Sequence, residues 1–99
     1  MSFSEFLVHD ARLIILRTLA GETSHTMNEV LLQKALESFG HNRTRDFVRT
    51  QIRALAEVGA VSFNEPTPTV MVAKLLLPGL DHIERRAILE GVARPSPGT

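Results

Sequence analysis

Arg45, Arg49 and Arg53 recur every fourth residue. On a helix that spacing stacks three guanidinium groups along one side. Arg43 stands just ahead of them, and between Arg43 and Arg53 the one carboxylate is Asp46. A guanidinium can bond a guanine edge bidentately or hold a phosphate, and a recognition helix enters the major groove with its N-terminal part. Asn42, Thr44 and Thr50 put further polar groups on the same helix or at its start. Asn42, Arg43, Thr44, Arg45, Arg49, Thr50 and Arg53 are therefore the candidate contacts to double-stranded DNA. The competing reading of the same residues is a solvated helix face with internal pairs, such as Asp46 with Arg49 or Arg53 with Glu57.

Other chemistry finds little support. The four histidines, His9, His25, His41 and His82, lack the spacing of helical metal ligands. With no cysteine there is no thiolate zinc site, disulfide or cysteine nucleophile. Carboxylates are not paired for acid–base work, no serine has a nucleophile-elbow context, and no Gly-rich phosphate loop is present. The expectation is a protein that is not an enzyme and uses no cofactor and no metal. The 11 basic and 11 acidic residues cancel to a net charge of zero. That balance counts against a nucleic-acid partner, because most such domains carry a positive excess. The stretch from Asn64 to Thr69 also has no basic residue and contains Glu65, whereas loops that hold the minor groove usually present a cation.

A chain of 99 residues with 43% hydrophobic content is one domain with a real core. No apolar run approaches the roughly 18 residues of a membrane span, and no secretory leader is visible, so a cytoplasmic protein with no membrane partner is expected. Ser2 and Glu5 stand in capping-box relation ahead of a helix from about Phe3 to Ala20, which Gly21 is placed to end. Thr26 and Glu29 form a second such pair ahead of a helix with Val30, Leu31, Ala35, Leu36 and Phe39 on its apolar side, ended by Gly40. Thr44 caps the third helix, whose apolar residues fall at Val48, Ile52, Leu55 and Val58 beside Phe47 and Ala54, with Gly59 as its left-handed stop. Ala60 to Asn64 reads as a strand, Glu65 to Pro68 as a turn, and Val70 to Leu77 as a second strand. Pro78 and Gly79 break that strand, and a short helix is expected over about Leu80 to Leu89. Residues 91–99 read as a flexible tail with almost nothing to bury, leaving 1–90 as the folded domain.

Three segments resemble winged-helix regulators of the ArsR type. They are His9 to Leu19, where an arginine precedes an apolar run, Thr44 to Val61, which is similar to a recognition helix and its exit into the wing, and Ala73 to Leu80. Their cysteine metal-sensing motif is absent. As a whole the chain resembles small proteins of Mu-like prophages, which share the Gly-His-Asn turn seen at Gly40 to Asn42, the arginine-bearing helix after it and a tail like Gly91 to Pro97. The resemblance implies a mainly α fold with a small β-hairpin, a winged helix-turn-helix in the order α-α-α-β-β-α. The expected function is DNA binding in transcriptional control, with the third helix in the major groove. The alternative is a non-enzymatic protein-interaction module in phage assembly or DNA packaging. Phe3, Phe6, Leu80, Ile83 and Ile88 on the first and last helices are the candidate surface of a homodimer, unless the monomer core needs them.

Overall fold

The computed structural model describes residues 1–96. Its elements are α1 (Phe3–Gly21), β1 (Thr26–Asn28), α2 (Glu29–Ser38), α3 (Arg45–Glu57), β2 (Val61–Thr67), β3 (Val70–Leu75) and α4 (Leu77–Ile83). Four helices pack with an antiparallel three-stranded sheet of order β1-β3-β2, a mixed α+β arrangement.

α1 begins at the Ser2–Glu5 capping box and buries Ala11, Ile15, Leu16 and Leu19 completely. Gly21 is its last helical residue rather than a left-handed stop. The left-handed position falls instead on His25, at φ 57°, which turns the chain into β1. β1 is the element the sequence did not announce. Thr26 pairs with Lys74, Met27 with Ala73 and Asn28 with Val72, so Thr26 is a strand residue and not a helix cap. Asn28 caps α2, its side-chain oxygen accepting from the Leu31 amide at 2.9 Å. A three-residue strand is too short for alternation to reveal, and only its partner β3 makes it a strand.

The buried face of α2 also differs from the expected one. Glu29, Leu32 and Leu36 point inward, whereas Leu31 and Phe39, expected on the apolar side, are exposed. α3 keeps its expected start and face: Thr44 caps it, and Val48, Ile52 and Leu55 are fully buried. Gly40 (φ 90°) and Gly59 (φ 77°) take the left-handed positions that end α2 and α3.

The hairpin is longer and tighter than expected. β2 runs through Glu65 and Pro66 to Thr67, leaving only Pro68 and Thr69 as the turn. The β2–β3 register slips between Asn64 and Thr67. Pro66, which has no N–H to donate, sits within that irregularity on an edge strand, where it costs the ladder least. α4 starts at Leu77, earlier than expected, with proline in its first turn. Gly79 is buried inside it, and a Cβ there would lie 2.5 Å from the Ala60 carbonyl oxygen. α4 stops at Ile83, not Leu89.

The segment after α4 is irregular but anchored. Within the stretch expected as a flexible tail, Val92 is 7% exposed and belongs to the core. The Ala93 amide bonds the His9 carbonyl at 3.1 Å, and Arg12 donates to the Gly91 carbonyl at 3.0 Å. Residues 97–99 of that stretch lie outside the described residues.

Candidate functional site

The arginine stripe forms on α3 as its spacing requires, but the tertiary structure supplies each member with a carboxylate. Glu29, the first residue of α2, is fully buried. Its carboxylate accepts from the Met71 backbone N–H at 2.5 Å, from Arg45 at 2.6 Å and from Arg49 at 3.3 Å. Arg45 also donates to the Thr69 carbonyl in the hairpin turn. Glu65 of β2 meets the stripe from the other side, at 3.2 Å from Arg49 and 3.8 Å from Arg53. Two acids from different elements thus tie one face of α3 to the hairpin. The internal pairs Asp46–Arg49 and Arg53–Glu57 are not among the ion pairs of the described residues.

The commitment is graded. The Arg49 side chain is 15% exposed and held from both sides, whereas Arg45 and Arg53 are 45% and 50% exposed. Arg43 lies with its guanidinium carbon 4.5 Å from the Phe47 ring centroid, a cation–π contact. Its backbone carbonyl accepts from the Gln33 side chain at 2.8 Å, which fastens the turn between α2 and α3. Thr44 spends its hydroxyl on the Phe47 amide at 3.0 Å. Asn42 and Thr50 are exposed. An open groove of about 690 Å³ runs between Gln33 of α2, Thr44, Arg45, Asp46 and Arg49 of α3 with its cap, and Pro68 and Thr69 of the hairpin turn.

All seven expected contact residues therefore lie on α3 or the turn before it, but the stripe is not one open cationic patch. The residues that decide this, Glu29 and Glu65, lie 12 to 20 residues from their arginine partners in the chain. Glu29 reads locally as a capping residue and Glu65 as a turn acid. No local signal marks either as an arginine partner.

One of the four histidines and a further arginine are also committed. His41, 7% exposed, bonds Asp10 at 2.8 Å and pins the turn after α2 to α1. Arg12 donates to Gln51 at 2.8 Å and to the Gly91 carbonyl, and burial holds its guanidinium below its ordinary pKa. Among the described residues no three His, Asp or Glu side chains come together as a metal site, and no helix is long and apolar enough to cross a membrane. Of the expected dimer residues, Phe3, Phe6 and Ile88 are exposed, and Leu80 and Ile83 pack partly buried against the core.

No family model matches the sequence, and no solved structure matches it. Two relatives do. The uncharacterized protein gp26 of Escherichia phage Mu is 42% identical over 94 residues, covering 95% of this chain and 96% of the relative. An uncharacterized protein of Haemophilus influenzae is 36% identical over 75 residues, covering 76% of this chain and 72% of the relative.

Proposed function

The chain belongs to the family of the Escherichia phage Mu protein gp26, and from that premise we propose that it is a winged helix-turn-helix protein that binds double-stranded DNA in phage transcriptional control. The observation that carries this reading is the presentation of α3. Its outward side, with Asn42, Thr44, Arg45, Thr50 and Arg53 exposed, stands beside the β2–β3 hairpin. A helix braced by a hairpin wing, preceded by a second helix across a short turn, is the geometry that lays a helix in the major groove. The element order α1-β1-α2-α3-β2-β3 with sheet order β1-β3-β2 supports the winged-helix assignment.

The pairing of the stripe sets the strength of the interaction. Arg49 is held by both acids and makes no phosphate contact. Arg43, Arg45 and Arg53 remain, so two or three phosphates are neutralised. The slope of log K against log salt is then about −2 to −3. A titration of labelled duplex across salt concentrations tests this. Binding that weakens with that slope, and that drops on Arg43→Ala or Arg53→Ala, supports the reading. No binding at low salt, or binding indifferent to both substitutions, refutes it.

A second reading rests on the carboxylates themselves. Glu29 and Glu65 neutralise much of the stripe, while Phe3 and Phe6 stack in the open at the start of α1, with centroids 6.4 Å apart. Those features suit a protein-interaction module in phage assembly or packaging, or a homodimer formed through α1. Loss of self-association in Phe3→Ala/Phe6→Ala, measured by light scattering, identifies the homodimer. A monomer that does not bind DNA leaves the interaction module, tested by capture with neighbouring phage proteins.

A further inference from the structure

We propose that the cavity at the end of α4 is a binding site for a phosphoryl group, held by Arg85 and Arg94. The cavity has a volume of about 330 Å³ and is lined by His82, Arg85, Arg86, Ile88 and Arg94 among others. That volume sits at the lower end of small-ligand pockets, which run from about 300 Å³ upward.

The first argument is conformational. α2, α3 and α4 end in the same paired-bond motif. In α2, the Gly40 and His41 amides bond the Glu37 and Leu36 carbonyls. In α3, the Gly59 and Ala60 amides bond Ala56 and Leu55, and in α4 the Arg85 and Arg86 amides bond His82 and Asp81. The motif needs a left-handed residue, and glycine is the ordinary occupant. It is glycine at Gly40 and Gly59 but arginine at Arg85, with φ 65°. An L residue is strained there, and such strain persists where the side chain has a use.

The second argument is the state of the cations. Arg45, Arg49 and Arg53 are bound to acids, Arg12 to Gln51 and Gly91, and Arg43 to an aromatic face. Arg86 is taken by Glu84 and Asp81, which raise its pKa above the ordinary value. Arg17 also has a partner. Among the described residues the side chains of Arg85 and Arg94 make no hydrogen bond or ion pair, and both residues line this one cavity.

The third argument is that the walls are held. His82, 1% exposed, accepts from the Leu89 amide at 3.0 Å and donates to the Ala93 carbonyl at 2.9 Å. One neutral imidazole therefore fixes both the 85–89 turn and the strand of chain that carries Arg94. The carboxylates Asp81 and Glu84 at this end of α4 are engaged by Arg86, and the α4 carbonyls of Asp81 and His82 are occupied by the closing amides. Two unpaired guanidinium groups on a fixed frame suit the planar, bidentate recognition of phosphate oxygens. This site is remote in sequence from the α3 stripe and does not depend on the DNA reading.

The test is an amide-resolved NMR titration with inorganic phosphate against sodium chloride at matched ionic strength, with Arg85→Gly, Arg94→Ala and a Lys34→Ala control. Phosphate should give saturable shifts at Arg85 to Leu89 and Arg94 that chloride does not. Arg85→Gly and Arg94→Ala should each weaken phosphate binding at least tenfold, and Lys34→Ala should not. Arg85→Gly relieves the left-handed strain, so its Tm should rise by about 4 °C, which separates lost binding from lost folding. A parallel duplex titration distinguishes the source of the phosphoryl group. DNA affinity that falls in the same two variants assigns it to a nucleic-acid backbone, and unchanged DNA affinity assigns it to a small phosphate ligand. Shifts equal in phosphate and chloride, or phosphate binding retained in both variants, overturn the proposal.

Discussion

Removing the Glu29 carboxylate is the perturbation with the largest expected consequence. Glu29 is fully buried and accepts from the Met71 amide, Arg45 and Arg49 at 2.5, 2.6 and 3.3 Å. Glu29→Ala leaves the Met71 backbone N–H without its acceptor and leaves the nearly buried Arg49 guanidinium with Glu65 alone. Breaking a buried ion cluster by deleting one partner costs about 3–5 kcal/mol. A domain of this size has roughly 5–15 kcal/mol in all, so the variant loses about a fifth of its stability or more. At about 4–8 °C per kcal/mol the Tm falls by roughly 20 °C. Glu29→Gln keeps an oxygen for Met71 but turns an amide toward the arginines, and should cost about half as much. Glu65→Ala removes an acid that is partly exposed and should cost no more than about 1 kcal/mol. Urea melts of the three variants supply the comparison, with the midpoint falling and the m-value constant. A Glu29→Ala cost under about 1 kcal/mol, or a Glu65→Ala cost as large as that of Glu29→Ala, refutes the hub described above.

Three further outcomes are expected. Gly79→Ala drives a Cβ to 2.5 Å from the Ala60 carbonyl oxygen and 2.8 Å from the Leu75 side chain, so a thermal melt should show a loss of about 2–3 kcal/mol. His82→Ala deletes the brace between Leu89 and Ala93. Hydrogen exchange at the Leu89 amide should speed up, with a global cost of about 2–4 kcal/mol. Under the DNA reading, Glu65→Ala removes a carboxylate that faces Arg49 and Arg53 and repels phosphate, so duplex affinity should rise about tenfold at 0.1 M salt.

Much of the architecture is local and therefore visible in the residues. Ser2 with Glu5, Thr44, Gly40 and Gly59 act within one helical turn of themselves, and each does in the fold what its type and position imply. The three main helices and the hairpin follow from them. β1 was hidden because three residues carry no period, and it exists only because β3 offers them a ladder. β1 sets the start of α2 at Glu29, and packing against the rest of the fold turns Glu29, Leu32 and Leu36 inward while Leu31 and Phe39 stay exposed. The C-terminal segment was misjudged for a related reason. Its proline and glycine content says that it is not a helix or strand, but not whether Val92 finds a cavity to fill.

The arginine stripe shows where the two kinds of information divide. Residue type and four-residue spacing put Arg45, Arg49 and Arg53 on one side of one helix, because helical geometry is local. Whether that side is an open cationic surface depends on where Glu29 and Glu65 lie in space. Charge pairing is a property of distance through space, and these acids reach α3 only after the chain has folded α2 and the hairpin around it. The sequence by itself therefore determined the helix, its face and its cations. Only the tertiary structure decided that Arg49 is spent inside the protein, that Arg45 and Arg53 are half free, and that the Arg85 and Arg94 side chains have no partner among the described residues.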